Sequence, residues 1–425
     1  MNERTPAAKP RLHYAWVILA ASCLMSSAIL GVVQNGRGVF YNAVCTDLEI
    51  ETSAFTLYSL FHGIGSFLCM PFAVRFFNRV HPRIALTAAV VLFCGTTALM
   101  GSVSTLPAFW ILGFLQGAGG SLLIFFICPL LISNWFQKHY GMAMGISAAF
   151  SGLAGVLINP LLSAVIESAG WRTGYRVQGL LAFALAMTAV LLIRSRRPED
   201  VGMTRLGAEE EPESAPAAGE AGEAAEAREA GEAASDEEVQ VSARDKRVLI
   251  WVMLFTVLVS VTNAYNQHFA KYAVTIGLSP AVGAMLVSCG MVGNIGSKFG
   301  IGALNDRIGT PKTLLWSLLA MGLGFGGMIV GAANFLLYPS AVLAGICMPL
   351  CSMCVPMLAR HLYTPAVYRR VYPKVTMVLT LVSSGAIPAV SLLYEIWYSY
   401  LPVLLIGIAI TAACAVSIIA AERQK

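Results

Sequence analysis

Two long apolar stretches flank a short polar one, which reads Gly302-Ala-Leu-Asn-Asp306-Arg307-Ile-Gly309-Thr-Pro-Lys312. The apolar stretches are Pro280–Leu304 and Pro311–Ala332. Each is long enough to cross the hydrocarbon core of a bilayer, which is roughly 30 Å thick, as an α-helix. Inside a bilayer a single segment satisfies its backbone hydrogen bonds only as a helix. The polar stretch therefore predicts a tight turn between two transmembrane helices.

The same alternation of apolar blocks and polar turns continues along the whole chain. Of the 425 residues, 57% are hydrophobic and only 12% are charged, about half the charged share of a soluble domain. So little polar surface cannot cover a water-soluble fold. We predict an all-α membrane protein with twelve transmembrane helices in two six-helix halves. The predicted spans are Tyr14–Tyr41, Ala54–Phe76, Arg83–Val103, Pro107–Ser133, Tyr140–Ser168, Thr173–Ile193, Val248–Ala273, Pro280–Leu304, Pro311–Ala332, Tyr338–Ala359, Tyr372–Glu395 and Ser399–Ala421.

The composition changes abruptly between the sixth and the seventh predicted spans. Residues 195–247 contain the run PESAPAAGEAGEAAEAREAGEAASDEE and carry 15 of the 23 acidic residues. A highly charged segment without an apolar period buries too little surface to fold alone. The sequence therefore predicts an N-terminal half at 1–194, an acidic disordered cytoplasmic linker at 195–247 and a C-terminal half at 248–425. A partner-binding role for the linker stays open.

The basic residues predict the orientation in the membrane. Of the 28 Lys and Arg residues, 23 fall at the two termini or in the loops on the same side of the predicted bundle. The opposite side holds Arg172, Arg176 and Lys271. Because cytoplasmic loops are enriched in Lys and Arg, both termini are predicted to be cytoplasmic. We expect a multi-pass protein of the cell inner (plasma) membrane.

The polar stretch that begins at Gly302 resembles the loop signature of the major facilitator superfamily, G-x-x-x-D-R-x-G-x-x-[RK]. The equivalent loop of the first half, Arg75–Arg83, is degenerate, because Asn78 replaces the acid and His81 replaces the glycine. Charged groups beside helix ends form contacts that can break during a conformational change. The resemblance predicts a gate formed by Gly302, Asp306, Arg307, Gly309, Lys312 and, in the first half, Arg79.

Four local patches carry a narrower resemblance. They are similar to the helix 4–6 region and the end of helix 1 in the oxalate/formate antiporter and monocarboxylate transporter group. The patches are Asn134–Ile146, Ser151–Pro160, Gly170–Arg172 and Gly38–Tyr41.

That group carries a basic residue in its eighth helix, four residues before the loop-signature glycine, and this residue pairs with the substrate carboxylate. Lys298 has this position here, four residues before Gly302. Proton-coupled monocarboxylate members often place an Asp one turn earlier, where this chain has Asn294, which carries no proton. The oxalate type has a second lysine in helix 11. The absence of a lysine between Lys374 and Glu395 argues against oxalate itself.

Lys298 is also a candidate without any family resemblance, because it lies within a predicted transmembrane span. A lysine in the hydrocarbon region is costly unless it faces a cavity or a partner. Lys298 lies about 9 Å from the end of its predicted helix, so snorkelling to the interface is the alternative. Asn294 lies one turn away on the same face.

Arg37 is the other basic residue inside a predicted span. It lies about 35 Å along a helix that starts at Tyr14 and shares a face with Gln34 and Tyr41. Two roles are open: attraction of anions into an outer cavity, or an interfacial contact with the acidic residues that follow the span.

Further polar side chains lie in the second, fourth and seventh spans. They either line a solute site or make ordinary contacts between helices and at helix ends. His62 is the only histidine in the middle of a span. The full set of candidate substrate-binding residues is Lys298, Asn294, Arg37, Gln34, Tyr41, His62, Gln116, Asn263, Asn266 and His268.

The spans hold two basic residues and no carboxylate near the membrane midplane, which favours an anionic solute. We predict a secondary active or facilitative transporter of a small, monocarboxylate-like organic anion that works by alternating access. A coupling proton or a counter-substrate is the expected second partner. The alternatives are an exporter of a neutral or amphipathic small molecule and a membrane sensor that signals through the linker. We predict no enzyme activity, cofactor, metal site or nucleic-acid partner, since no constellation for such chemistry is present.

Overall fold

The computed structural model describes residues 13–125, 127–136, 140–195, 198, 203–206, 243–331 and 335–424. The first six helices are α1 (Ala15–Leu48), α2 (Thr52–Arg79), α3 (Pro82–Leu99), α4 (Leu106–Phe125, continued by Ile127–Trp135), α5 (140–169) and α6 (171–192). The others are α7 (Ala243–Thr275), α8 (Pro280–Ile308), α9 (Thr310–Val330), α10 (Leu337–Leu362), α11 (Pro365–Trp397) and α12 (Tyr400–Arg423). Among these described residues no β-strand occurs, and the one β-type pairing is an isolated bridge from Phe136 to Leu206.

Eleven helical runs in the described part of the chain are long and apolar enough to cross a bilayer. One of them, 140–192, holds both α5 and α6, because it breaks at Gly170, where φ is 81° and ψ is 161°. This backbone region is accessible to glycine and strained for other residues. The indole Nε1 of Trp171 donates to Asp47 Oδ2 at 2.9 Å and so ties the break to the end of α1. The predicted all-α, twelve-helix architecture is confirmed.

Contacts between helix ends show that successive helices run in opposite directions. Arg83 Nε, at the start of α3, donates to the carbonyl of Ile193, just after α6, at 2.9 Å. Arg244 Nε, at the start of α7, donates to the carbonyl of Gln424, just after α12, at 2.9 Å. The hydroxyl of Tyr14 likewise contacts the carbonyl of Leu192, so the start of α1 lies beside the end of α6, as the start of α7 lies beside the end of α12. We call the end of the bundle at which these contacts lie the linker end and the opposite one the far end.

Each six-helix half has its own hydrophobic core. Phe93 and Trp135 are fully buried in the first half, and Phe255 and Phe325 are fully buried in the second. Apolar side chains on the outer faces are exposed in the isolated chain, as expected for helices that contact lipid.

Helix boundaries differ from the predicted ones by up to seven residues. α1 continues to Leu48, seven residues beyond the predicted end at Tyr41, α7 begins at Ala243 before the predicted start at Val248, and α11 begins at Pro365 before the predicted start at Tyr372. These extensions mix polar or charged side chains with apolar ones, so a hydropathy pattern does not reveal them.

The predicted linker lies mostly outside the described residues, since 207–242 are not among them. At its start, the backbone amide of Leu206 donates to the carbonyl of Trp135 at 3.0 Å. At its end, residues 243–247 belong to α7. The disorder of the segment stays a prediction.

Candidate functional site

The two halves contact each other at the far end through α2 and α11. Thr56 Oγ1 lies 3.0 Å from Ser391 Oγ, and the backbone amide of Ser53 donates to Glu395 Oε1 at 2.6 Å. A Cβ built on Gly63 would collide with the side chain of Ser384, so the two helices pack closely. The passage between the halves is closed at this end.

A second contact between the halves lies nearer the middle of the bundle, between α5 and α8. Ser288 Oγ donates to the carbonyl of Val156 at 3.0 Å. One and two turns further toward the linker end, α8 packs closely on Gly155 and Gly152 of α5, and Ile295 is the side chain that fills the space beside Gly152. These contacts show which face of α8 points at the other half.

Lys298 lies on this inward face of α8. It follows Met291, which packs on Gly155, by seven residues, and this spacing places the two side chains on one face. The exposed side chains of Val292 and Phe299 lie about 100° further around α8, since each directly follows one of these two residues. Lys298 is therefore directed between the halves rather than toward lipid. Its side chain is partly exposed, and no hydrogen bond or ion pair joins it to the described residues.

Two buried asparagines continue the polar face of Lys298 toward the far end. Asn294 is 5% exposed, and its Oδ1 has no hydrogen-bond partner in the described part of the chain. Asn266 of α7 is fully buried, and neither atom of its amide group is paired with a described residue. Asn266 packs against Gly290, one turn from Asn294. The three side chains form a row that we call the α8 polar row: Asn266, Asn294 and Lys298.

The polar residues of the first half form a bonded cluster instead. Arg37 is 6% exposed, and its Nη2 donates to Gln116 Oε1 at 2.7 Å. Gln116 Nε2 in turn donates to Thr97 Oγ1 at 2.7 Å. The guanidinium lies 5.5 Å from the centroid of the Tyr58 ring, while its Nε is buried and has no partner among the described residues.

The burial of Arg37 excludes one of the two roles that the sequence left open for it, the interfacial contact. The other role, attraction of anions, stays a prediction. The side chain lies inside the first half, and the interfacial carboxylate of Asp47 pairs with Arg172 at 2.9 Å instead. The interfacial contact predicted as one alternative for Arg37 is therefore wrong. The sequence pattern missed this because α1 extends further than its apolar stretch.

Gln34 and His62 lie beside the Arg37 cluster. Gln34 Nε2 is 3.0 Å from His62 Nε2, and both histidine and cluster are buried. Close packing of α4 on α2 holds this region, because a Cβ on Gly113 or Gly117 would collide with a carbonyl of α2. The spacing Gly113-x-x-x-Gly117 predicts close helix packing from the sequence, and these contacts confirm it. The spacing Gly141-x-x-x-Gly145 predicts the same, and this is wrong for Gly145, whose position has no neighbouring atom within 4 Å among the described residues.

Three further candidates lie near α7. His268 Nδ1 is 3.1 Å from the Tyr400 hydroxyl and its Nε2 is 3.2 Å from the carbonyl of Ile387, so protein groups occupy both ring nitrogens. Tyr41 is buried, with its ring centroid 5.6 Å from that of His268. Asn263 is partly exposed and lies about one turn closer to the linker end than Asn266. Asn263 precedes Asn266 by three residues, so the two side chains lie on neighbouring positions of one face of α7.

Five of the predicted gate residues lie between Gly302 in α8 and Lys312 in α9, and Arg79 lies at the end of α2 in the other half. The turn between α8 and α9 is a single residue, Gly309, with φ 79° and ψ 165°, and its amide donates to the carbonyl of Asn305 at 3.0 Å. Arg79, Arg307 and Lys312 are exposed, and the side chain of Asp306 lies outside the described residues. At Gly302 the nearest atom to a built Cβ is Met353 Cε at 3.9 Å, so close approach is absent there.

Two residues of α7 were missed by the sequence reasoning. Lys271 was counted among the basic residues of the outer side, but it is buried in α7, contacts Thr52 Oγ1 and lies 4.6 Å from the centroid of the Tyr394 ring. Gln267 contacts α1 of the other half. Its position within the polar run from Asn263 to His268 was the available signal.

Among the residues that the structure describes, no group of three or more His, Cys, Asp or Glu side chains is arranged to hold a metal ion. The carboxylates on the described helices lie near the helix ends.

Comparison with known proteins agrees with this architecture. The family model of the Major Facilitator Superfamily matches residues 15–372. The oxalate:formate antiporter of Oxalobacter formigenes is 28% identical over 197 residues, which are 45% of this chain and 46% of that protein. Monocarboxylate transporter 11 of Homo sapiens is 22% identical over 345 residues, 77% of this chain and 64% of that protein. This chain thus spans less than half the length of the antiporter.

Among solved structures, the nucleoside transporter NupG superposes with a TM-score of 0.69 at 11% sequence identity. The superposition covers 97% of this chain and 99% of that one. At such low identity the likeness shows the fold alone.

Proposed function

The chain belongs to the Major Facilitator Superfamily, and we propose that it carries a small, monocarboxylate-like organic anion across the membrane by alternating access. It is a multi-pass membrane transporter rather than an enzyme. The named relatives include an oxalate:formate antiporter and a monocarboxylate transporter, which supports an anionic substrate for this chain.

One observation carries the proposal: Lys298 faces the space between the halves without a partner among the described residues. An ammonium group away from bulk water is costly unless an opposite charge accompanies it. The described carboxylates lie near helix ends rather than beside Lys298. A substrate carboxylate would supply the missing charge.

The unpaired amides of the α8 polar row support the same location. Asn294 and Asn266 have buried polar atoms without partners among the described residues, and such atoms are costly unless a ligand or water bonds to them. An amide NH₂ group donates to a carboxylate oxygen, while Lys298 supplies a point charge rather than a two-pronged fork. Asn263 extends the row toward the linker end.

Arg37 would add positive potential from the first half. It has one donor, Nε, without a partner among the described residues, while Gln116 holds the rest of the group in place. Gln34, His62 and Gln116 line its surroundings and position it. We do not include His268 or Tyr41 among the direct ligands, because His268 is bonded on both ring nitrogens and Tyr41 is buried against it.

Exchange or facilitated flux fits this site better than proton coupling through a buried acid. Asn294 holds the position where proton-coupled relatives often place an aspartate, and an amide does not titrate. Transport would then be coupled to a counter-substrate, or to a proton that the substrate itself or His62 carries.

The closed far end implies that the α8 polar row is reached from the linker end in this conformation. We propose that the linker end is cytoplasmic, in agreement with its excess of basic residues. The conformation would then face the cytoplasm, in the inner (plasma) membrane. The exposed residues Arg79, Arg307 and Lys312 would act as the gate on this side, together with Gly302, Asp306 and Gly309.

Thermal stabilisation of the purified protein by a panel of mono- and dicarboxylates tests the proposal. A ligand at 100 times its dissociation constant adds about 2.7 kcal/mol of stability. We expect a carboxylate to stabilise the native protein and Lys298→Gln to lose that effect. Lys374→Gln is the matched control, because Lys374 is exposed near the start of α11, belongs to neither the proposed site nor the gate and should leave the effect unchanged.

Two other outcomes would point elsewhere. Stabilisation by neutral compounds that survives Lys298→Gln would favour an exporter of a neutral or amphipathic molecule. Loss of function on deletion of residues 207–242, with no response to Lys298→Gln, would favour a sensor that signals through the linker.

A further inference from the structure

The middle of α1 departs from regular α-helical geometry. Residues Ser27–Gln34 form a π-helix, and a 3-10 turn, Arg37–Val39, follows. Wider and tighter turns of this kind within a helix often mark functional sites, since they free backbone groups for other partners. The irregular segment carries both Gln34 and Arg37, which contribute to the bonded cluster of the first half.

A side chain from the other half bonds to this segment. Gln267 of α7 accepts a hydrogen bond from the backbone amide of Gly38 at 3.1 Å through its Oε1. Its Nε2 donates to the backbone carbonyl of Gln34 at 3.1 Å. Gln34 and Gly38 are four residues apart, so in a regular α-helix these two groups bond to each other. The carboxamide of Gln267 therefore occupies the place of one backbone hydrogen bond of α1.

The close approach of the two helices requires a glycine at this point. A Cβ on Gly38 would collide with the carbonyl oxygen of Gln267. Gln267 is buried, and its helix also contributes Lys271, which contacts Thr52 at the far end. The bond to α1 is thus part of the set of contacts that closes the far end.

A second glutamine supports the same segment from within the first half. Gln178 of α6 donates to the backbone carbonyl of Val32 at 2.9 Å and is buried. Gln178 and α1 belong to one rigid half, whereas Gln267 belongs to the other. Both residues bond to α1 through a carboxamide. The bonds of Gln267 must break when the two halves separate, whereas the bond of Gln178 lies within the first half and need not break.

We propose that Gln267 is a positioning residue that couples closure of the far end to the geometry of α1. While the far end is closed, its carboxamide holds the segment 34–38 open. When α7 withdraws, the carbonyl of Gln34 and the amide of Gly38 bond to each other, and this turn of α1 rewinds. Rewinding rotates Gln34 and Arg37 relative to His62 and Gln116, so the first-half cluster changes when the far end opens. This inference rests on alternating access and adds the residue that links gate and cluster.

Hydrogen–deuterium exchange of the full chain in lipid nanodiscs tests the coupling without any substrate. The measured segments are 52–63 and 384–395, which form the far-end contact, and 34–40 of α1. Gln267→Met removes two hydrogen bonds between the halves, each worth a factor of about five in an equilibrium. The two bonds together are worth a factor of about 25, so exchange at the far-end segments should rise by roughly that factor.

Gln178→Met is the matched control. It also removes a carboxamide that bonds to α1 and should lower the melting temperature to a similar extent, but far-end exchange should stay at the level of the native protein. Equal far-end exchange in the two variants, whether raised or unchanged, would overturn the proposal.

Thr56→Val opens the same interface without contacting the irregular segment, because it removes the hydrogen bond to Ser391. Exchange at 34–40 should then change in step with exchange at the far end. A raised far-end exchange with α1 unaffected would contradict the coupling, and this variant decides the question even if Gln267→Met does not fold. None of these results depends on the identity of the substrate, so they are independent of the anion proposal.

Discussion

Arg37 of the first half and Lys298 of the second half are both basic residues within a helical span, and their surroundings differ. Arg37 of the first half is buried, bonded to Gln116 and stacked near Tyr58. Lys298 of the second half is partly exposed and has no bonded partner in the described part of the chain. The first arrangement is typical of a cation that supports a structure, and the second of a cation that is available to a ligand.

A charged residue inside a membrane span is therefore not necessarily a binding residue. For Arg37, a charge-assisted hydrogen bond to Gln116 and the nearby Tyr58 ring offset the free-energy cost of removing the guanidinium from water. For Lys298, partial exposure between the halves keeps the ammonium group partly hydrated and so lowers this free-energy cost. Substitution of a polar neighbour should therefore lower the stability of the protein at Arg37 and raise it near Lys298.

The largest expected effect is on the stability of the first half. Gln116→Leu removes the acceptor of the buried Arg37 guanidinium and leaves that charge uncompensated, which should lower the free energy of unfolding by about 3 kcal/mol. Chemical unfolding followed by tryptophan fluorescence measures it. In an Arg37→Met background the same substitution should cost much less. An equal cost in both backgrounds would show that the Arg37–Gln116 bond is not the cause.

A smaller effect is expected where the linker-end turns of the two halves differ. Gly309 has φ 79° and ψ 165°, a conformation that is essentially limited to glycine, so Gly309→Ala should destabilise by about 2 kcal/mol. The equivalent turn of the first half uses His81, with φ −55° and its ring accepting from the amide of Arg83. His81→Ala should cost only about 0.5 kcal/mol, the loss of a weak helix cap. Equal melting temperatures for the two variants would contradict this difference.

The smallest effect, and the one that separates ligand groups from structural groups, concerns Asn294. Asn294→Leu removes a buried polar atom that has no partner among the described residues, so the protein should become more stable by about 1 kcal/mol. The same change should weaken carboxylate binding by about fivefold, the loss of one hydrogen bond to the ligand. Thermal unfolding with and without the carboxylate measures both quantities. A loss of stability with unchanged affinity would show that Asn294 bonds within the protein.

Much of the fold followed from the sequence. The apolar blocks and the acidic segment predicted twelve helices in two halves, because backbone hydrogen bonding in a bilayer leaves little choice of structure. Spacing placed Gly113 and Gly117 in a close helix contact, and position relative to Gly302 pointed to Lys298. The extension of α1 to Leu48 and the burial of Lys271 were not predicted, since residues near helix ends mix polar and apolar side chains and hydropathy does not show what they pack against.

The sequence by itself determined which segments cross the membrane and which residue types they place inside it. The tertiary structure decided which of those residues are already bonded: Arg37 to Gln116, His268 to Tyr400 and Gln267 to α1. The physical reason is that lipid and protein interior are about equally apolar, so the hydropathy pattern of a span does not show which face meets another helix. The rotation and depth of each helix come from packing, and these determine which polar groups meet and which, like Lys298, have no bonded partner among the described residues.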